Sequence, residues 1–157
     1  MWRRDRGDGG ASLVEFALVL PLLALFLFGI VQFGLAYDAK QSINSSAREG
    51  ARTAAIPTNT FADVDTAARN AYQGLATDGE VTIEVTNAAT GYSASRVGSD
   101  PPTGNHADEP CGDFNSTVAA GTTVVVEATV DLVVTIPFYG APTFSLEGRG
   151  EFRCELP

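Results

Sequence analysis

Two places in the sequence hold residue types that could do chemistry. The first is GNHADEPCGD, residues 104–113, where His106, the single histidine, lies close to Asp108, Glu109, Cys111 and Asp113. A transition-metal site needs several imidazole or thiolate ligands at a spacing fixed by a regular element. One imidazole, no second nearby cysteine and no helix do not supply that, and the stretch reads as a solvated acidic loop. Asp100, Asp108 and Asp113 leave a weak calcium site as the residual alternative, because they offer hard oxygens without the regular spacing of a known loop. There is no glycine-rich phosphate loop, nucleophile elbow or metalloprotease helix. The expectation is therefore no enzyme, no metal and no cofactor.

The second place is RGDGGASLVEFALVLPLLALFLFGIVQFG, residues 6–34. Residues 16–36 contain no charge, and Gln32 is their only strongly polar side chain. As a helix, this run spans roughly 30 Å, the hydrocarbon thickness of a bilayer. A carboxylate, Glu15, stands at its mouth, and Pro21 lies inside it, where it removes the backbone hydrogen bond to the Ala17 carbonyl and is expected to kink or locally melt the helix. Each feature has an ordinary reading, a snorkelling carboxylate and a tolerated membrane kink. There is also a functional one. A cut after Gly10 would leave Ala11 with a free ammonium, four residues and one helical turn from Glu15. The new positive charge would neutralise the lone carboxylate, on the same chain or on a neighbouring copy. An ion pair buried between apolar helices fixes register more than it adds stability.

Charge sets the topology around this segment. Residues 1–10 hold three arginines and two aspartates, whereas from Asp38 onward there are 7 basic and 16 acidic residues. Basic before the apolar run and acidic after it is the positive-inside pattern, with the N-terminus cytoplasmic and the bulk of the chain outside. An acidic outer domain with one lysine argues against nucleic acid as a partner. The RGD at residues 6–8 faces the cytoplasm on this topology. The Arg3-Arg4 pair lacks the context of a twin-arginine signal. The sequons at Asn44 and Asn115 matter only in a host that glycosylates them.

The helical pattern continues past the apolar run. YDAKQSINSSAREGARTAAI, residues 37–56, has no proline and stops at Pro57. Ile43, Ala47, Gly50, Ala51 and Ala54 form a narrow stripe of small residues, with Lys40, Arg48, Glu49 and Arg52 mostly off it. One long helix over about residues 12–55 is expected, its first half in lipid. Residues 59–79 read as a second, shorter helix: Thr60 caps it, Asp63 sits in its first turn and Gly79 lies past its end. Its buried stripe would be Phe61, Val64, Ala68, Ala71 and Leu75, with Asp65, Arg69 and Gln73 facing water.

Beyond this the period becomes two. Val81, Ile83 and Val85 alternate with polar residues, as do Val126, Ala128, Val130, Leu132, Val134 and Ile136, and finally Phe144, Leu146, Phe152 and Cys154, with Gly148 and Gly150 thinning the last apolar side. The fold class is α+β: a long N-terminal helix, half membrane and half exported, a second short helix, and a small antiparallel sheet packed on the helices. Residues 88–117 read as a mobile surface loop. Cys111 and Cys154 lie on the exported side, where a disulfide is permitted; two independent buried thiols are the alternative. A bond between them would pin the long loop against the sheet.

A short charged leader ending in glycine, a small residue next, then a glutamate five residues after the glycine and an apolar helix together resemble the processing site of type IV prepilins. SLVEFALVLPLLALFLFGIVQFGLAYDAKQSINSSAREGARTAA resembles the N-terminal signature of TadE-like proteins, the minor pilins (pseudopilins) of tight-adherence pili. VEFALVLPLL and AREGAR are its most specific pieces, and residues 11–55 carry the match. The resemblance implies a leader over residues 1–10, cleavage by a prepilin peptidase between Gly10 and Ala11, a transmembrane helix over 11–37 and an exported domain over 38–157, helical to 76 and β-rich from 80. It implies a single-pass cell-membrane protein that assists pilus assembly and hence adhesion, with membrane lipid, the peptidase, other pilin-like helices and pilus assembly proteins as partners. Two other readings use the same residues. One is a surface-binding domain anchored by an uncleaved helix. The other is a secreted domain whose signal is cut after the GLA of residues 34–36, although an apolar core of about 20 residues exceeds the usual 7–15 of such signals.

Overall fold

The computed structural model describes residues 8–74, 80–112, 121–134 and 140–155. They form α1 (Asp8–Ala54), α2 (Phe61–Ala71), β1 (Val81–Asn87), β2 (Tyr92–Val97), β3 (Thr103–Gly104), β4 (Thr123–Val133) and β5 (Thr143–Arg153). The strands make one antiparallel sheet in the order β3-β2-β1-β4-β5, with the helices on one face. This is the α+β architecture expected from the sequence.

Helix α1 is a single element of 47 residues that continues through Pro21 without interruption. Its most apolar 18-residue window has a mean hydropathy of 2.6, and no part of that window is covered by the rest of the chain. Among the described residues it is the one helix long and apolar enough to cross a membrane. The second half is different. Ala39, Ile43, Ala47, Gly50, Ala51 and Ala54 are all buried, so the small-residue stripe does pack on the domain. Small side chains let the helix backbone approach its neighbours closely. At Gly50 an added methyl group would stand 3.0 Å from Val126 Cγ1 and 3.1 Å from Ala68 Cβ.

The closest approach is on β5. A methyl group at Gly148 would overlap the Ile43 carbonyl, and one at Gly150 would overlap the Ala47 carbonyl. The two glycines therefore do more than thin an apolar strand face: they are where helix backbone lies directly on strand backbone. Phe144 and Phe152, on the same face of β5, remain 52% and 42% exposed, against the inward placement expected of them.

Helix α2 begins as the sequence indicates. The Thr60 backbone N–H and hydroxyl both donate to Asp63 Oδ2, at 2.9 and 2.8 Å. These hydrogen bonds, that from the backbone N–H first, hold the Asp63 carboxyl below its usual range. The helix ends at Ala71, short of the expected boundary, and Leu75 and Gly79 lie outside the described residues. Two serines one turn apart on α1 fasten it: Ser46 Oγ donates to the Ala68 carbonyl at 2.7 Å, and Ser42 Oγ accepts from the Gln73 N–H at 2.6 Å. Phe61, Val64 and Ala68 are fully buried beside Ile43, Ile83, Val85, Val124 and Val126 in the common core.

Three expectations need correction. Residues 88–117 are not one surface loop, because β2 and β3 lie within them. The inward residues of β2 are Tyr92, Ala94 and Arg96, too few of them large and apolar to register as a strand, and it is the β1 backbone that pairs it. Asp65 does not face water. Its side chain is 4% exposed, with Arg69 Nε 2.8 Å from Oδ1 and Arg96 Nη1 2.8 Å from Oδ2. Arg69 is correspondingly covered, its side chain 13% exposed. Pro21, finally, does not melt α1, which continues through it as one helix; of the kink or local melting expected there, the melting is what the structure contradicts.

A candidate assembly helix and the domain that holds it

Gly10, Ala11, Glu15 and Pro21 all lie in α1, and all are exposed. A methyl group added at Gly10 would have nothing within 4 Å. Ala11 and Glu15 share one helix face, one turn apart, as the spacing requires. The structure does not bring these residues together with the cysteines or the acidic loop. They lie along the uncovered apolar half of α1.

What the domain supplies is a packed surface for the other half of that helix. In AREGAR, residues 47–52, Ala47, Gly50 and Ala51 are buried against the sheet and α2, whereas Glu49 and Arg52 pair at 2.6 Å on the outside. The hydrogen bond from Arg52 is the main reason the Glu49 carboxyl lies below its ordinary range. Lys40, the only lysine, donates from Nζ to the Glu147 carbonyl on β5. At the other end, the Glu155 N–H donates to the Ala55 carbonyl at 2.9 Å. Strand β5 is thus tied to α1 at its middle, by Glu147, and just past its C-terminal end, by Glu155, and is packed on it between.

The disulfide joins Cys111 to Cys154, with a Cα–Cα distance of 5.5 Å across 43 residues of sequence. Both cysteines are buried. Closing a loop of that length stabilises the fold by about 3–4 kcal/mol in the chain-entropy account. Asn87, fully buried at the end of β1, organises the surroundings: Nδ2 donates to the Pro110 carbonyl and Thr122 Oγ1, both at 3.1 Å, while Oδ1 accepts from the Ala89 N–H at 3.1 Å. Sequence reading missed Asn87, Ser42, Ser46 and Arg96. A polar residue ending the inward face of an alternating strand, as Asn87 does, was the available signal.

His106 is exposed, with Nδ1 3.1 Å from the Gly104 carbonyl oxygen. Asp108 lies close enough to Tyr92 to act on its phenol, although burial is the larger influence; together they hold that phenol above its usual range. Asp113 lies outside the described residues.

A long N-terminal helix, bare and apolar in its first half and packed on an antiparallel sheet in its second, defines an α+β protein with one N-terminal helix long and apolar enough to cross a membrane. Residues 10–52 match the family model of TadE-like protein, in agreement with the resemblance carried by VEFALVLPLL and AREGAR. No curated protein and no solved structure matches the chain. The matched residues run from Gly10 through Glu15 and Pro21 to Arg52, so they cover both the bare and the packed halves of the helix.

Proposed function

We propose that this chain is a minor pilin, or pseudopilin, of a tight-adherence pilus system, acting in assembly and without catalytic activity of its own. It enters the cell membrane with its N-terminus in the cytoplasm and its acidic domain outside, and a prepilin peptidase cleaves it between Gly10 and Ala11. The observation that carries this reading is the family match over residues 10–52; the matched stretch includes Glu15, the lone carboxylate of the otherwise uncharged and uncovered first half of α1. Once the leader is removed, the Ala11 ammonium of this chain or of a neighbouring pilin-like helix pairs with Glu15 and sets helix register. The domain holds the helix rigidly by Lys40, Ser42, Ser46 and the two β5 glycines, which suits a subunit that must present that helix to others.

The test is Glu15→Ala as the only copy in cells that make such pili. Glu15 is exposed on α1 and remote from the core, so the variant should insert, fold and form its disulfide. Pilus number and cross-linking to other pilin-like helices should fall. Normal piliation would favour a simple membrane anchor instead.

A further inference from the structure

Strand β5 and helix α1 run side by side in the same direction. Gly148 lies on Ile43, Gly150 lies on Ala47, and Glu155 bonds to Ala55. Following both elements backwards from Gly148 and Ile43 leads towards the apolar half of α1. Four strand residues cover about 13 Å, the rise of about nine helical residues. Phe144 therefore stands near the level of Gly34, beside the end of the uncharged segment. Val133 pairs with Thr143 one step further on.

The charges stop at the same level. On α1 the last charged positions before the apolar run are Lys40 and Asp38, and on the hairpin they are Asp131 and Glu147, with none between them in the sequence. The bond from Lys40 to the Glu147 carbonyl marks this common boundary. Beyond it, Phe144 is 52% and Val133 57% exposed, one on each face of the sheet, with Leu132 and Val134 half-buried beside them. Among the described residues at this end of the sheet, neither face carries a charge.

We propose that this end of the β4–β5 hairpin, marked by Val133 and Phe144, is a second membrane contact that inserts into the headgroup layer beside α1. The inference rests on the reading that α1 spans the membrane, which fixes where the bilayer lies. The partner is lipid: the patch is uncharged, continues the apolar surface of the helix and ends where its charges begin. An aromatic and an aliphatic side chain at that depth match the interfacial belt of membrane proteins. Open backbone is not tolerated in the hydrocarbon itself, so the contact stays at the interface. Two attachments, helix and hairpin, fix the domain's orientation on the membrane, which the helix alone leaves free to rotate.

The experiment uses the full chain with Trp2→Phe, so that each introduced tryptophan is the only one. The protein is reconstituted in phosphatidylcholine vesicles with acyl chains brominated close to the carbonyl. Three reporters are compared: Leu35→Trp on the helix, Phe144→Trp at the hairpin end, and Phe152→Trp at the far end of the same face of β5. The proposal expects brominated lipid to quench the first two to a similar fractional loss and to leave the third unquenched. Val133→Trp, on the other strand and the other face, is a second hairpin reporter should Phe144→Trp fail to form its disulfide, and it should be quenched too. Quenching of Leu35→Trp without either hairpin reporter overturns the second contact and leaves the spanning helix intact. No quenching at Leu35→Trp overturns the spanning reading and the inference with it. A blue-shifted but unquenched hairpin reporter means that protein, not lipid, covers the patch, and quenching at all three sites means that the whole domain lies on the bilayer; either result overturns the assignment.

Discussion

Gly150 on β5 lies directly against the Ala47 carbonyl of α1, with no room for a methyl group between them. Helix and strand meet there backbone to backbone, four helical residues above the matching contact of Gly148 with Ile43. These contacts set the height of the long helix on the sheet, and its apolar half leaves the domain as a continuation of the same helix.

Gly150→Ala is expected to destabilise the domain by about 1–3 kcal/mol, because the atoms in the way are main-chain atoms of α1, at Ala47 and Arg48, and cannot rotate aside. Thermal unfolding of the full chain in detergent measures it. An unchanged melting temperature would show that α1 is free to lift off β5.

Asp65 is the buried anion between α2 and β2. Asp65→Asn keeps its volume but removes the negative charge that Arg69, 13% exposed, and Arg96, 35% exposed, both meet. A loss of about 3 kcal/mol is expected, at the low end for broken buried pairs because Arg96 retains water. Arg96→Gln should cost less, since Arg69 still meets Asp65. Urea denaturation ranks the two, and the reverse order would refute this account.

Tyr92 is buried, and its hydroxyl has no hydrogen-bond partner among the described residues. Burial first, then the charge of Asp108, raises its pKa above the ordinary value near 10. A group raised in the folded state contributes stability that is complete below its unfolded pKa and is lost as pH climbs beyond it. The wild type should thus lose stability above about pH 10 more steeply than Tyr92→Phe. At neutral pH the variant should be as stable or more so, by up to about 1 kcal/mol, because it removes an unpaired polar group. Unfolding midpoints at pH 8 and above pH 10 check both halves.

Gly10→Val reads the peptidase rather than the fold. Gly10 is exposed, and a side chain there meets nothing within 4 Å, so the variant should fold and insert normally. The proposed cleavage should nevertheless fail, leaving residues 1–10 on the chain where the wild type begins at Ala11. Intact-mass measurement on protein from a piliated cell decides it, and a native start at Tyr37 would indicate an ordinary signal peptide.

The sequence by itself determined the elements that carry a clear local period. The uncharged run of residues 16–36, the small-residue stripe from Ile43 to Ala54 and the alternation of β1 and β4 are local patterns, and each element formed where its pattern lay. Glu15 and Pro21 stood out for the same reason, as local exceptions inside an apolar run. Only the tertiary structure decided what depends on who faces whom. Asp65 reads as solvated because its helix position is polar, until Arg96, 31 residues away, closes over it. Strand β2 is illegible alone, since its pairing comes from the β1 backbone and its inward face from Tyr92, Ala94 and an ion-paired arginine. Gly148 and Gly150 look like weak points of a strand. They prove to be its contact surface, because close backbone approach leaves a signature only in the missing side chain, and the sequence cannot say what fills the space.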